Sequence, residues 1–175
     1  MLTVSEQYQE PERERISMTG ISFRVVEQYK DMLYRTALTM TRSHADAEDI
    51  MQEVFLKYFR YAPEFASEEH RKAWLLRVTI NESRNLLKSF WKSRRTDLDP
   101  ADFPQKQAGS QKNSGVLQAV LQLPEKYRIA VYLYYYEEYS IKEIAGITGR
   151  SEAAVAQHLV RGRNKLRKIL EKGEF

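Results

Sequence analysis

Apolar residues along this chain recur at steps of three and four and rarely alternate, a pattern that predicts helices throughout. From Ile21 onward, Val25, Val26, Tyr29, Leu33, Ala37 and Met40 make one continuous stripe. A second stripe runs through Ala47, Ile50, Val54 and Tyr58, is widened by Met51 and Phe55, and is ended by Pro63. Ser43, with Asp46 three residues on, is placed to cap the start of that helix. A third helix is expected from about Glu68 to Phe90, with Trp74, Leu75, Val78 and Leu86 turned inward. Trp74 suits a core role better than that of a stacking wedge.

Residues 1–20 are polar and unpatterned and read as an extension. Residues 96–114 hold two prolines, one glycine and mostly polar side chains, the composition of a linker. Beyond it, Val116, Leu117, Val120, Leu121 and Leu123 open a second helical unit. Pro124 suits the first position of the next helix, which runs through Ile129, Val131 and Leu133 to about Glu137. Its Tyr132, Tyr134, Tyr135 and Tyr136 fit core and rim better than a base-stacking platform. The expected fold is therefore all-α: two small helical domains, 21–95 and 115–175, joined by a flexible linker.

Within the second domain, Ser140 and Glu143 form an S-x-x-E capping box ahead of a short helix ending near Thr148. Gly149 supplies the positive φ that a tight turn needs. Ser151 can cap a helix reaching about Leu170, with Val155, Leu159 and Leu166 inward. Ala145, Gly149 and Val155 have the spacing of a helix-turn-helix, with a plain helical hairpin as the alternative. Thr148 and Arg150 stand where apolar residues are commoner, so looser packing is expected near the turn. Such a second helix offers Gln157 and His158 to base edges, and Arg161, Arg163, Lys165 and Arg167 to phosphates. As a lone histidine, His158 also fits an ordinary surface role.

Charge sharpens this picture. The net charge is only +4. Residues 46–70, however, carry seven acids against two bases, and residues 71–95 carry eight bases against one acid. Residues 150–172 carry seven bases against two acids. Alternating blocks of this kind suggest one surface for a basic partner and two for phosphates. In the acidic block Asp46, Asp49 and Glu53 share one helix face, with the Gln52 amide at its edge. The row suits docking to a basic helix; a divalent-metal site is the alternative, although no histidine accompanies it. The chain has no cysteine, hence no disulfide framework or thiol nucleophile. No signal-like segment or run long enough to span a bilayer is present, so a cytoplasmic protein without membrane insertion is expected.

Asp46-Ala-Glu-Asp-Ile-Met-Gln-Glu-Val-Phe-Leu56 resembles the core-polymerase-binding helix of bacterial sigma factors. Ala73-Trp-Leu-Leu-Arg-Val-Thr-Ile-Asn81, continuing to Asn85-Leu-Leu, resembles the promoter-melting helices of that family. The Leu-Pro-x-Lys-Tyr-Arg start at Leu123, the Ser140-Ile-Lys-Glu-Ile-Ala motif and the Arg161-Gly-Arg tail resemble its C-terminal domain. The connecting stretch is too short for a middle domain, so the likeness is to the extracytoplasmic-function (ECF) class of the sigma-70 family.

That resemblance implies a region 2-like domain that docks on core RNA polymerase through Asp46, Asp49, Gln52 and Glu53. It also implies that Asn81, with Asn85 beside it, helps hold a base flipped out of the −10 element. Arg77, Arg84, Lys88 and Lys92 then hold neighbouring phosphates. A region 4-like domain reads the −35 element through Gln157, His158, Arg161, Arg163 and Lys165. Ala156 and His158 depart from the basic residues that many members carry there, which implies fewer phosphate contacts and a shallower salt dependence. Core polymerase, promoter DNA and an anti-sigma factor are the candidate partners. Neither a cofactor nor catalysis is expected: the chain lacks a G-x-x-x-x-G-K loop for nucleotide hydrolysis, and the chemistry belongs to the polymerase. The competing readings are a repressor or activator that acts without stable polymerase binding, and a metal-dependent nuclease using Asp46, Asp49 and Glu53.

Overall fold

The computed structural model describes residues 12–93 and 115–173, which form seven α-helices and no strand. They are α1 (Glu12–Thr41), α2 (His44–Tyr61), α3 (Glu68–Ser93), α4 (Gly115–Leu121), α5 (Glu125–Tyr135), α6 (Ile141–Thr148) and α7 (Glu152–Lys172). The all-α fold expected from periodicity is the one observed.

The first helix begins nine residues before Ile21, where the apolar stripe starts, because Glu12 to Thr19 are mostly adequate helix formers. Residues 1–11, the rest of the expected extension, and the expected linker 96–114 lie outside the described residues. Helix α1 ends where Arg42 turns left-handed (φ 59°) and donates its N–H to Leu38 O at 2.8 Å. Ser43 then restarts the chain as the expected cap, its hydroxyl accepting from Asp46 N at 3.3 Å.

The first module packs α1, α2 and α3 through Leu33, Ala37 and Met40 with Ala47, Val54, Leu75, Leu76 and Ile80. Thr36, Thr79 and Ser83 are also fully buried, and their hydroxyls donate to the carbonyls of Met32, Leu75 and Thr79 at 2.7–2.8 Å. Each buried oxygen is thereby satisfied within its own helix, and these small residues let the helices cross closely. Trp74 is half-buried, its ring centroid 5.8 Å from Phe65 and 6.1 Å from Tyr58.

In the second module, Pro124 is the N-cap of α5, one residue earlier than the first helical position, and the helix stops at Tyr135. The capping box of Ser140 and Glu143 is complete, and Gly149 adopts φ 68° at the end of α6. Ser151 accepts from Ala154 N, as a cap of α7 should. The looser packing expected at Thr148 is absent: the residue is buried, and its hydroxyl donates to Ile144 O at 2.7 Å. Gly162 is where α7 crosses α5, since a Cβ there would stand 2.8 Å from Val131 Cγ2.

The two modules pack on each other through α1 with α5 and α3 with α6. Arg128, 3% exposed, holds the first contact. Its Nη1 donates to the carbonyls of Leu121 and Leu123 (2.9 and 3.0 Å), and its Nη2 crosses to Met40 O in the last turn of α1 (2.8 Å). Burial, and then Arg42 nearby, lower its pKa to about 10, so it remains charged at neutral pH.

Candidate functional surfaces

Helix α2 buries Ala47, Ile50, Val54 and Phe55, which leaves the opposite face to solvent. Asp49, Gln52 and Glu53 are exposed there, and Asp46 is half-buried beside the N-cap. Glu53 lies 3.8 Å from Lys57, whose ammonium pairs more closely, at 2.7 Å, with Glu82 of α3. Lys57 is thus drawn toward the α2–α3 seam and leaves the acidic row largely unneutralised. The same face continues into Leu56 (47% exposed), three residues from Glu53 and four from Gln52, and into Phe59 (45%), three residues further on. Neither residue carries charge, so the charge pattern of the sequence does not mark them. The signal was a pair of large apolar residues set off the stripe that Ala47, Ile50 and Val54 define. An acidic row merging into exposed apolar side chains is suited to a basic, amphipathic partner helix.

On α3, Arg77, Asn81, Arg84, Asn85 and Lys88 recur at helical spacing along one face. Asn81, Asn85 and Lys88 are exposed. Arg77 and Arg84 are engaged: Nη2 of Arg77 donates to Gly146 O at 2.8 Å, and Nη1 of Arg84 donates to Thr148 O at 3.0 Å. Arg84 also approaches Glu125 at 3.6 Å, an ion-pair contact too long for a hydrogen bond. Lys92 lies in the last turn of α3, where the side chains fall outside the described residues.

The structure separates the six candidates on α7, with Arg167 falling beside Arg163 and away from Gln157. Gln157, Arg161 and Lys165 are exposed and share one face, which Asn164 and Lys168 extend. Arg163 turns to another side of the helix. There, with Val116, Val120, Tyr135, Leu166 and Leu170, it lines an open, mostly apolar groove of about 640 Å³. The Arg161 guanidinium beside the Tyr127 phenol pulls that phenol's pKa below its ordinary value.

His158 is buried against Tyr127, ring edge to face at 5.6 Å, and is not presented to a groove. The period that puts Gln157 outside carries the next residue inward, beside Val155 and Leu159. Burial lowers the His158 pKa; Arg150, Lys126 and Arg161 lower it further, with Glu125 opposing. The unfolded chain therefore takes up this proton at a higher pH than the folded chain. Stability is intact above the unfolded value and falls as pH drops through the folded one. His158→Phe should flatten the loss of urea stability between about pH 7 and pH 5; an unchanged slope would show that other groups set it.

These helices define a class: a two-module, all-α protein with a C-terminal helix-turn-helix and separate acidic and basic faces. The Sigma-70 region 2 family matches residues 25–94, and the Sigma-70, region 4 family matches residues 115–166, together more than half of the chain. The chain belongs to the sigma-70 family, in its ECF class. RNA polymerase sigma factor SigV of Bacillus subtilis is 26% identical over 151 residues, covering 86% of this chain and 91% of the relative. ECF RNA polymerase sigma factor SigW of the same species is 28% identical over 162 residues, covering 83% and 87%. Among solved structures, the sigma factor RpoE of Bartonella quintana, in complex with the anti-sigma factor NepR, superposes with a TM-score of 0.67. It is 22% identical and covers 85% of this chain and 95% of that one, a likeness of fold.

Proposed function

We propose that this chain, as a promoter-recognising sigma factor, docks on core RNA polymerase through α2 and carries promoter DNA on α3 and α7. The docking face is Asp46, Asp49, Gln52 and Glu53, extended by Leu56 and Phe59. The −10 strand meets Asn81 and Asn85, with Arg77, Arg84, Lys88 and Lys92 on its phosphates. The −35 duplex meets Gln157, Arg161 and Lys165, with Asn164 and Lys168 completing the face and His158 supporting it from beneath. An anti-sigma protein covering these faces is the regulatory partner.

The observation that carries this reading is the distribution of the surfaces. One helix exposes an acidic and apolar row while two others expose basic and amide rows, so a protein partner and DNA can be held together. A free-standing repressor has no use for the α2 row. Side-chain amides can pair with the edge of an unstacked base, whereas arginine and lysine hold phosphate without regard to sequence.

Opening of the −10 region tests the assignment of Asn81. In a complex of core polymerase, this chain and promoter DNA, Asn81→Ala should lower permanganate reactivity of −10 thymines at least tenfold. Duplex binding at −35 should change less than twofold, because α7 is untouched. Equal reactivity in parent and variant would remove Asn81 from the base-holding role.

A further inference from the structure

The side of α7 that faces away from the core carries a large apolar residue for which packing gives no reason. Val155, His158, Leu159 and Gly162 turn inward. That leaves Ala153, Gln157, Val160 and Asn164 exposed along the opposite side, at steps of four, three and four. Arg161, Lys165 and Lys168 stand exposed along one flank of this line. Val160 is 47% exposed. Leu170, also exposed, lines the groove shared with α4 and α5, whereas Val160 does not. Helix propensity gives no reason either, since a β-branched side chain is a poorer helix former than alanine, lysine or glutamate.

A helix about 10–12 Å across fills a major groove about 12 Å wide. The middle line of an inserted helix therefore faces base edges, and its flanks face the two phosphate backbones. On that line the Gln157 amide can pair with N6 and N7 of adenine. Val160 has neither donor nor acceptor to offer. The apolar group that base pairs display in the major groove is the C5-methyl of thymine.

We propose that Val160 selects thymine in the −35 element, packing on the C5-methyl one base pair from the adenine that Gln157 reads. The proposal rests on the assignment of α7 to the −35 duplex. Three residues advance the helix about 4.5 Å, close to the roughly 3.4 Å between successive base pairs, so Val160 falls on the neighbouring pair. Either strand can supply the thymine, because its methyl projects into the same groove from A·T and from T·A. The line thus reads adjoining A·T pairs, the amide by hydrogen bonds and the valine by exclusion of water. Phosphates are left to Arg161, Lys165 and Lys168, which hold every sequence alike.

Deoxyuridine in place of thymidine removes this methyl and leaves every hydrogen bond of the base pair intact. Core RNA polymerase saturated with the full chain would first select from a pool of randomised, promoter-length duplexes. The upstream shared element should hold thymine, on one strand or the other, beside an adenine. Each of its thymines is then replaced singly by deoxyuridine, and binding of the same holoenzyme is measured. At one position the parent should lose about three- to fivefold in affinity. Val160→Ala should bind the two duplexes within about 1.5-fold of each other, with its helical circular dichroism unchanged, because alanine is the better helix former.

A parent indifferent to every replacement, or a Val160→Ala variant that keeps the parent's preference, would overturn the role of Val160. Arg161→Ala then shows which reading has failed. Weaker binding of the selected duplex by that variant keeps α7 on the −35 element and removes the valine alone. Unchanged binding, or a pool that yields no shared upstream element, takes α7 off the −35 duplex, and the thymine contact goes with it.

Discussion

Truncating Arg128 to alanine is expected to lower the unfolding free energy by about 3–5 kcal/mol, more than any surface substitution in the molecule. The side chain is buried and donates to three carbonyls, those of Leu121, Leu123 and Met40. They lie at or just beyond the carboxyl ends of α4 and α1, where the backbone cannot supply the missing donors. Each acceptor left dry costs about 1–3 kcal/mol, and the removed side chain leaves a cavity as well. Lysine would restore the charge without the fork that serves carbonyls on two helices, so Arg128→Lys should recover only part of the loss. Urea unfolding followed by circular dichroism reads both variants. A loss under about 1 kcal/mol would mean that water reaches these carbonyls once the guanidinium is gone.

The second large effect concerns the polymerase. Asp49→Arg with Glu53→Arg reverses two exposed carboxylates on α2 and places positive charge against a basic partner. Like charges set face to face across an interface cost several kcal/mol. Capture of bacterial core polymerase should therefore weaken at least ~100-fold. Stability should hardly change, because Asp49 is exposed and Glu53 has only a long, solvated contact with Lys57. Glu64→Arg, an exposed acid outside the row, should leave capture within about twofold. Equal losses in both variants would reduce the α2 row to nonspecific charge.

Local signals in the sequence were sound wherever neighbours in the chain make the structure. Ser43, Ser140, Ser151 and Gly149 cap or turn the helices they were expected to, because a cap needs only its own few residues. The inward stripes of α1 and α2 follow from the 3.6-residue period alone. What escaped depends on partners far along the chain. Arg128 reads as one more surface base in Leu-Pro-x-Lys-Tyr-Arg until α1 supplies Met40 O, eighty-eight positions away. Arg77 and Arg84 read as free phosphate ligands until the turn of the helix-turn-helix is placed on them. His158 and Arg163 were legible in part: a basic tail suggested DNA, but only the phase of α7 against α5 shows which bases share a face with Gln157. Leu56 and Phe59 were hidden because exposed apolar residues look like core until the stripe beside them is fixed.

Mapping transcript 5′ ends made in vitro shows whether this chain directs polymerase to promoters. Core RNA polymerase would transcribe fragmented genomic DNA of the source organism with and without the purified chain. With the chain present, discrete start sites should appear, preceded by one shared pair of −35 and −10 sequences and absent from core enzyme alone. Transcripts that remain scattered and unstimulated, despite a folded chain and active core, would contradict the account.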